Sequence, residues 1–342
     1  MKTILVVRGS AMGDVALTVP VLREVSRRYP DLNIVMLTRG FYEPFFFDIP
    51  RLTVFDLRLN GDHRGISGVY RLYKTLTREY SFDHIIDLND KLYSKLLRRY
   101  FRMSGVSATS IDKGRREKKE LTRSCDKRFV QLESSVNRYA DCFAQAGFPV
   151  DVPSHYTHFD REAPDLVRGG QPLIGIAPFA KHAGKILPLK TVRGVIELIS
   201  ERLPSHKVVI FGGGASEAFL AESLVSWFPN TLSAIGRIRL RQEIDLMANL
   251  DLMISMDSSA MHICSLVGTP VISVWGATHH YAGFLGWGQS SDNIVGVDLP
   301  CRPCSVYGHK PCLLGDEPYK CLNDITPDQI FDKILALLQS SK

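Results

Sequence analysis

Val6-Val7-Arg8-Gly9-Ser10-Ala11-Met12-Gly13-Asp14 carries a short apolar strand into a turn of small residues, and its last member is an acid at the head of a helix. That order places one carboxylate in a strand-to-helix loop, where open α/β sheets bind ligands. Far downstream, Met256-Asp257-Ser258-Ser259-Ala260-Met261-His262 repeats the pattern after another strand. Two such elements predict two α/β sheets whose sites face each other across a cleft, an arrangement that points to a transferase.

The rest of the chain fits that frame. Lys2 to Arg8 reads as a buried strand, Val15 to Tyr29 as a helix with Val15, Val19, Leu22, Val25 and Tyr29 on one face, and Asn33 to Leu37 as the next strand. Pro20 falls inside that helix, so a kink or an irregular first turn is expected there. Val54 to Asp56 and His84 to Leu88 read as strands with a helix over Val69 to Glu79 between them, the alternation that βαβ units require. Four prolines and Gly169-Gly170 then punctuate the stretch from Phe148 to Pro172, as a linker would. Beyond it, Leu173 to Ala177, Lys207 to Phe211, Asp251 to Ser255 and Val271 to Trp275 restart the strand pattern, and right-handed crossovers between them give a second parallel sheet. Thr326-Pro327-Asp328 is a helix-start signal before an amphipathic Ile330 to Leu338. The expected division is 1–155, an N-terminal domain; 172–325, a C-terminal domain; and 326–342, a closing helix packing near the domain interface.

With 342 residues the chain exceeds the size at which one core usually splits, so two domains are the default. Hydrophobic content of 45% and charged content of 23% describe an ordinary globular protein. The apolar run Ile4 to Val7 is cut by Arg8, far short of a signal-peptide core, and no run approaches the ~20 apolar residues of a membrane span. A cytoplasmic protein is expected. The net charge of +6 is concentrated: Lys91 to Arg128 holds 13 Lys and Arg against four acids, and the remainder is near neutral. Such a run is either a solvated face or a surface for polyanions. Tyr93, Tyr100 and Phe101 are too few and too helically spaced for a base-stacking platform, which argues against nucleic acid and favours a lipid-borne anionic acceptor met by Arg115, Arg116, Lys118 and Lys119.

Phe211-Gly212-Gly213-Gly214-Ala215-Ser216-Glu217 begins like a dinucleotide fingerprint, yet Glu217 stands where the third glycine should allow close helix packing. Gly9 to Gly13 is not that fingerprint either, and the chain holds no Walker A pattern. A dehydrogenase and a P-loop enzyme are thus disfavoured.

Ile4 to Val15, followed by Thr18-Val19-Pro20-Val21-Leu22 and Tyr29-Pro30, resembles the opening of the ADP-heptose:lipopolysaccharide heptosyltransferases, glycosyltransferase family 9. Gly184-Lys185-Ile186-Leu187-Pro188, Asp257 to His262, Gly268-Thr269-Pro270-Val271 and Trp275-Gly276-Ala277-Thr278 follow in that family's order. The resemblance implies a GT-B fold, two Rossmann-like domains with the nucleotide-sugar mainly on the carboxyl-terminal one, and inverting transfer without a catalytic metal. It matches Asp14 to the general base for the acceptor hydroxyl, Lys185 to the lysine at the donor phosphates, and Glu217 to a carboxylate near the ribose. Asp257, Ser258, Ser259 and His262 match phosphate and sugar contacts. The resemblance further implies ADP-heptose as donor, bound by 172–325, and as acceptor, bound by 1–155, a lipopolysaccharide core or another lipid-linked saccharide met peripherally at the cytoplasmic face of the inner membrane.

The residue chemistry agrees. One carboxylate within hydrogen-bond reach suffices to take the acceptor proton, although an aspartate at this position also serves as a plain helix cap. A departing diphosphate gathers charge that a lysine and helix-start amides stabilise. His262 reads equally as a buried structural histidine. The chain departs from the family pattern with Asp257-Ser258-Ser259 in place of Asp-Thr-Gly and with Leu187 in place of Trp. Readings of a different class are a nucleotide-sugar epimerase on the same fold and a nucleotide-sensing clamshell that turns nothing over.

Four of seven cysteines, Cys301, Cys304, Cys312 and Cys321, fall within 21 residues as C-x2-C-x7-C-x8-C. In a reducing compartment they read as a structural zinc site, as reduced thiols or as a local disulfide. No cofactor is expected in catalysis.

Overall fold

The computed structural model describes residues 2–154, 159–167 and 169–340. The chain divides into two compact units, Met1–Lys113 with Glu133–Pro153, and Gly114–Leu132 with Ser154–Lys342. The sequence reading places 114–132 in the first domain, whereas the structure groups it with the second unit.

Unit 1 is built on five parallel strands, β1 (Lys2–Val7), β2 (Leu32–Thr38), β3 (Leu52–Asp56), β4 (His84–Asp87) and β5 (Ser107–Ser110), in the order β3-β2-β1-β4-β5. Ile4, Leu5, Val6 and Val7 are all buried, so β1 is covered on both faces, as the central strand of a parallel sheet must be. Leu5, Val7, Val35, Leu37 and Ile85 form one core with Val69, Leu72 and Leu76 of the helix Gly65–Glu79.

The expected single helix after β1 is two helices, Met12–Ala16 and Val19–Arg28. Pro20 occupies the first turn of the second, where its missing N–H costs nothing, and Thr18 donates its hydroxyl to the Val15 carbonyl at 2.7 Å across the break.

Unit 2 holds six parallel strands, β6 (Leu173–Ala177), β7 (Lys207–Ile210), β8 (Thr231–Ser233), β9 (Leu252–Met256), β10 (Val271–Trp275) and β11 (Ile294–Gly296), in the order β11-β10-β9-β6-β7-β8. The closing helix Pro327–Ser340 buries Ile330, Phe331 and Ile334, and Phe331 lies 5.5 Å beneath the guanidinium of Arg202, which ends the helix Leu189–Arg202. The helix start is capped reciprocally: Thr326 N–H donates to Gln329 Oε1 at 3.0 Å and Gln329 N–H to Thr326 Oγ1 at 3.3 Å. Among the described residues no helix is long and apolar enough to cross a membrane.

Strand order reverses direction at one point in each sheet. In unit 1 the chain winds outward through β2 and β3, then returns to the other side of β1 with β4. In unit 2 it winds through β7 and β8, then returns beside β6 with β9. The loops beyond the carboxyl ends of β1 and β4, and of β6 and β9, therefore splay apart, and such switch points are where open α/β sheets bind ligands.

Candidate active site

Asp14 follows β1 at the unit 1 switch point, in the first turn of Met12–Ala16. Its Oδ2 accepts the Ala11 N–H at 3.1 Å, the capping geometry expected of an acid there, and lies 2.6 Å from Arg8 Nη2. The carboxylate side chain is 30% exposed and the guanidinium only 7%, so the acid reaches solvent from a buried cationic base. Burial opposes the charge on Arg8, but Tyr139 and Asp14 outweigh it and raise the guanidinium above its ordinary range. Lys91, beyond β4, donates from Nζ to Ser10 Oγ at 3.0 Å. Gly9 is required by close approach: a Cβ there would lie 2.5 Å from Tyr93 Oη and 2.6 Å from Leu57 Cδ2.

In unit 2, Lys185 ends a tight turn after β6 and Asp257 follows β9, so the switch point brings together residues 72 positions apart. Lys185 Nζ lies 3.1 Å from Asp257 Oδ2, with side-chain exposures of 15% and 8%. The lysine stem is fixed by backbone, since a Cβ on Gly308 would come within 2.6 Å of Lys185 Cγ. Ser258 caps the helix Ser259–Val267 and shares a 3.2 Å hydroxyl contact with Ser255. The first-turn amides of that nine-residue helix carry its positive dipole end beside Asp257. His262 sits one turn in and is buried. Glu217 follows β7, the strand next to β6, and its Oε2 accepts the Gly213 N–H at 2.7 Å. All the expected donor residues thus lie beyond the carboxyl ends of β6, β7 and β9.

A neighbouring loop supports Lys185. Ala277 N–H donates to the Gly184 carbonyl at 2.8 Å, and a Cβ on Gly276 would stand 2.7 Å from that same carbonyl oxygen. Arg302, almost fully buried, gathers the loop: Nε donates to Gly276 O at 2.6 Å, Nη2 to Trp275 O at 2.7 Å and Nη1 to Val297 O. Nothing in the sequence singles out Arg302 except its place between two cysteines.

The basic stretch divides. Arg115, Arg116 and Lys119 are exposed, but Lys118 is buried with its ammonium 4.4 Å from the ring centre of Phe284. It leaves the anion-facing set because the helix Arg115–Leu121 turns that position inward, where Leu121 packs with Leu132 and Ala282. Lys127 is likewise anchored, donating to the carbonyls of Pro300, Arg302 and Pro303 at 3.2, 2.8 and 3.2 Å. Phe129 meets His279 edge to face and Tyr281 at a tilt, with ring centres 4.9 and 4.8 Å away. Burial, then neighbouring His280, Arg302 and Lys127, push His279 down to about 3; burial and Arg302 push His280 down to about 4.

The zinc reading finds no support in the geometry: among the described residues no three His, Cys, Asp or Glu side chains converge as metal ligands. Cys301 is exposed while Cys321 is buried, and Cys312 Sγ accepts the Tyr319 N–H at 3.2 Å. All four are free thiols.

The profile of glycosyltransferase family 9 (heptosyltransferase) matches residues 69–312. Lipopolysaccharide heptosyltransferase 1 of Pseudomonas aeruginosa is 25% identical over 311 residues, covering 88% of this chain and 85% of that protein. Among solved structures, a glycosyl transferase family 9 protein from Veillonella parvula superposes with a TM-score of 0.76 at 18% identity, over 99% of this chain and 98% of that one. The Escherichia coli heptosyltransferase WaaC with ADP superposes with a TM-score of 0.69 at 17% identity, over 98% and 99%. These likenesses show the two-unit GT-B fold, and the profile match extends over most of the chain. The chain therefore belongs to glycosyltransferase family 9 and is a glycosyltransferase.

Proposed function

We propose that this chain transfers heptose from ADP-heptose, with inversion, to a lipopolysaccharide-core or similar lipid-linked acceptor. The observation that carries the reading is the Lys185–Asp257 pair at the β6/β9 switch point, 3.1 Å apart and beside a helix N-terminus. In this reading Asp257 holds the Lys185 ammonium where a diphosphate would gather charge. Asp14 takes the proton of the acceptor hydroxyl as its oxygen bonds to the anomeric carbon, and the bond from that carbon to phosphate breaks with its electron pair leaving on ADP. Lys185 and the amides of Ser259–Val267 neutralise that pair, more strongly in the transition state than before it. Glu217 serves the ribose, and Ser258, Ser259 and His262 the phosphate and sugar.

Names of relatives support the donor: one solved heptosyltransferase carries ADP and another ADP-heptose. Exposed Arg115, Arg116 and Lys119 fit an anionic acceptor at the cytoplasmic face of the inner membrane, touched peripherally. The test is Asp14→Asn, which should leave ADP affinity intact and lower turnover by roughly 10²–10⁴-fold, the usual worth of a general base. Near-normal turnover in the purified variant would remove Asp14 from the mechanism. Product formed without acceptor would point instead to an epimerase.

A further inference from the structure

Arg8 directly follows β1, whose last four residues are buried, and its own exposure is 6%. A guanidinium in such a place is costly unless its donors are matched. Its partners come from four directions. The backbone N–H donates to the Leu37 carbonyl of β2 at 3.1 Å, and Nη1 donates to the Leu88 carbonyl just past β4. The guanidinium carbon lies 5.6 Å from the ring centre of Tyr139, on the helix Ser135–Gln145. Nη2 meets Asp14 Oδ2 at 2.6 Å, and Tyr139 closes the circuit by donating its hydroxyl to the Asp14 carbonyl at 3.3 Å. The Leu88 carbonyl needs only a neutral donor, so it does not by itself account for a full positive charge here. What the charge reaches is the Asp14 carboxylate, on the oxygen already held by the Ala11 N–H.

We propose that Arg8 is a positioning residue for transfer: anchored on Leu88 and Tyr139, its guanidinium keeps the Asp14 carboxylate ionised and in one orientation while the acceptor hydroxyl gives up its proton. This rests on the reading of Asp14 as general base. Asp14, Tyr139 and Tyr93 face Arg8, and of these side-chain types a carboxylate is the one ordinarily ionised at neutral pH. Two separable effects follow. The positive charge sets how far acid can be added before the base is lost. The rigid fork, spanning the Leu88 carbonyl and the carboxylate, fixes the carboxylate's direction.

The experiment measures acceptor kcat/KM against pH, together with ADP affinity, for wild type, Arg8→Met, Arg8→Lys and Asp14→Asn. An opposite charge in contact favours a carboxylate's ionised form by roughly one to three pH units, so Arg8→Met should move the acid limb upward by that amount. ADP affinity should stay within about twofold, since donor binding is assigned to unit 2. Arg8→Lys keeps the charge without the fork, so its acid limb should stay in place while kcat falls roughly tenfold or more, the scale of a lost orienting contact. A merely structural role would lower activity at every pH and leave the limb where it was. An unmoved limb in Arg8→Met, with Asp14→Asn inactive, overturns the proposal and leaves the base assignment standing. Activity in Asp14→Asn overturns both. Should Arg8→Met fail to fold, Arg8→Lys decides: wild-type kcat in that variant overturns the positioning role.

Discussion

Replacing Arg302 by Met tests how unit 2 holds the loop that carries Ala277 against Gly184. The Met side chain keeps much of the apolar stem and removes the fork. Three backbone carbonyls, of Trp275, Gly276 and Val297, then lose a close charged donor, and the Thr278 carbonyl loses a longer contact at 3.4 Å. An acceptor stranded in that way costs about 1–3 kcal/mol, and carbonyls with a second lone pair fall at the low end, so the sum is about 3 kcal/mol. For a unit of roughly 200 residues, each kcal/mol shifts the melting point by about 2–4 °C, which makes the expected drop about 6–12 °C. The loss should also be local. The freed loop carries Ala277, whose N–H holds the Gly184 carbonyl beside Lys185, so ADP affinity should fall along with stability. Scanning calorimetry with and without ADP reads both effects. A variant that melts within about 2 °C of wild type and binds ADP normally would refute the assignment of Arg302 as the clasp of this loop.

Lys185→Ala should weaken ADP binding and slow transfer while leaving acceptor affinity unchanged; titration calorimetry with unaltered ADP affinity would contradict it. Charge reversal at Arg115, Arg116 and Lys119 should raise the acceptor KM and reduce binding to anionic vesicles by on the order of 1 kcal/mol per residue, with salt doing the same to wild type; an acceptor KM indifferent to both would return these residues to a solvated face. Lys118→Met should not mimic that variant and should instead perturb stability, because its ammonium lies against Phe284. His279 and His280 are held neutral, with folded values of about 3 and about 4, below the unfolded value of about 6.5. The unfolded chain therefore binds more protons between those limits, and stability is complete above pH ~6.5 and declines as acid is added through that window. His279→Gln should flatten the decline seen by urea titration at pH 7 and pH 4.5, and an identical decline in the variant would show that this histidine does not drive it.

The strands that sequence reveals are the interior strands β1, β2, β4, β6, β7, β9 and β10, each with a continuous apolar run, and one edge strand, β3, through Val54 to Asp56. Ser107–Ser110, Thr231–Ser233 and Ile294–Gly296 carry almost no such signal, and all three are sheet edges, where one side of the strand has no neighbour and the apolar demand is lower. The break at Leu17 and Thr18 is legible only as a proline, because two short helices and one kinked helix share the same periodicity. Of the candidate site residues, Asp14 and Asp257 are legible because their strand-to-helix loop position marks them, whereas Lys185 is legible only through the motif Gly184 to Pro188. Arg8 and Arg302 are not: a charge at a strand end reads as the place where the strand meets water, and only the folded chain shows it buried against carbonyls and a carboxylate. Lys118 fails for the same reason in reverse, since its partner Phe284 is 166 residues away.

The allocation of Gly114–Leu132 to unit 2 makes the chain pass between the units three times, after Lys113, after Leu132 and after Pro153. Neither unit is a contiguous stretch of gene. A fragment cut at residue 154 would leave Ala282, Tyr281 and Phe284 without Leu121, Leu132 and the Lys118 ammonium, and would strip the carbonyls at 300–303 of Lys127. Exchange of unit 2 between relatives, by recombination or by an engineer, must therefore transplant two segments together. On the ribosome, the segment Gly114–Leu132 must wait through more than a hundred further residues before the surface it binds has been made.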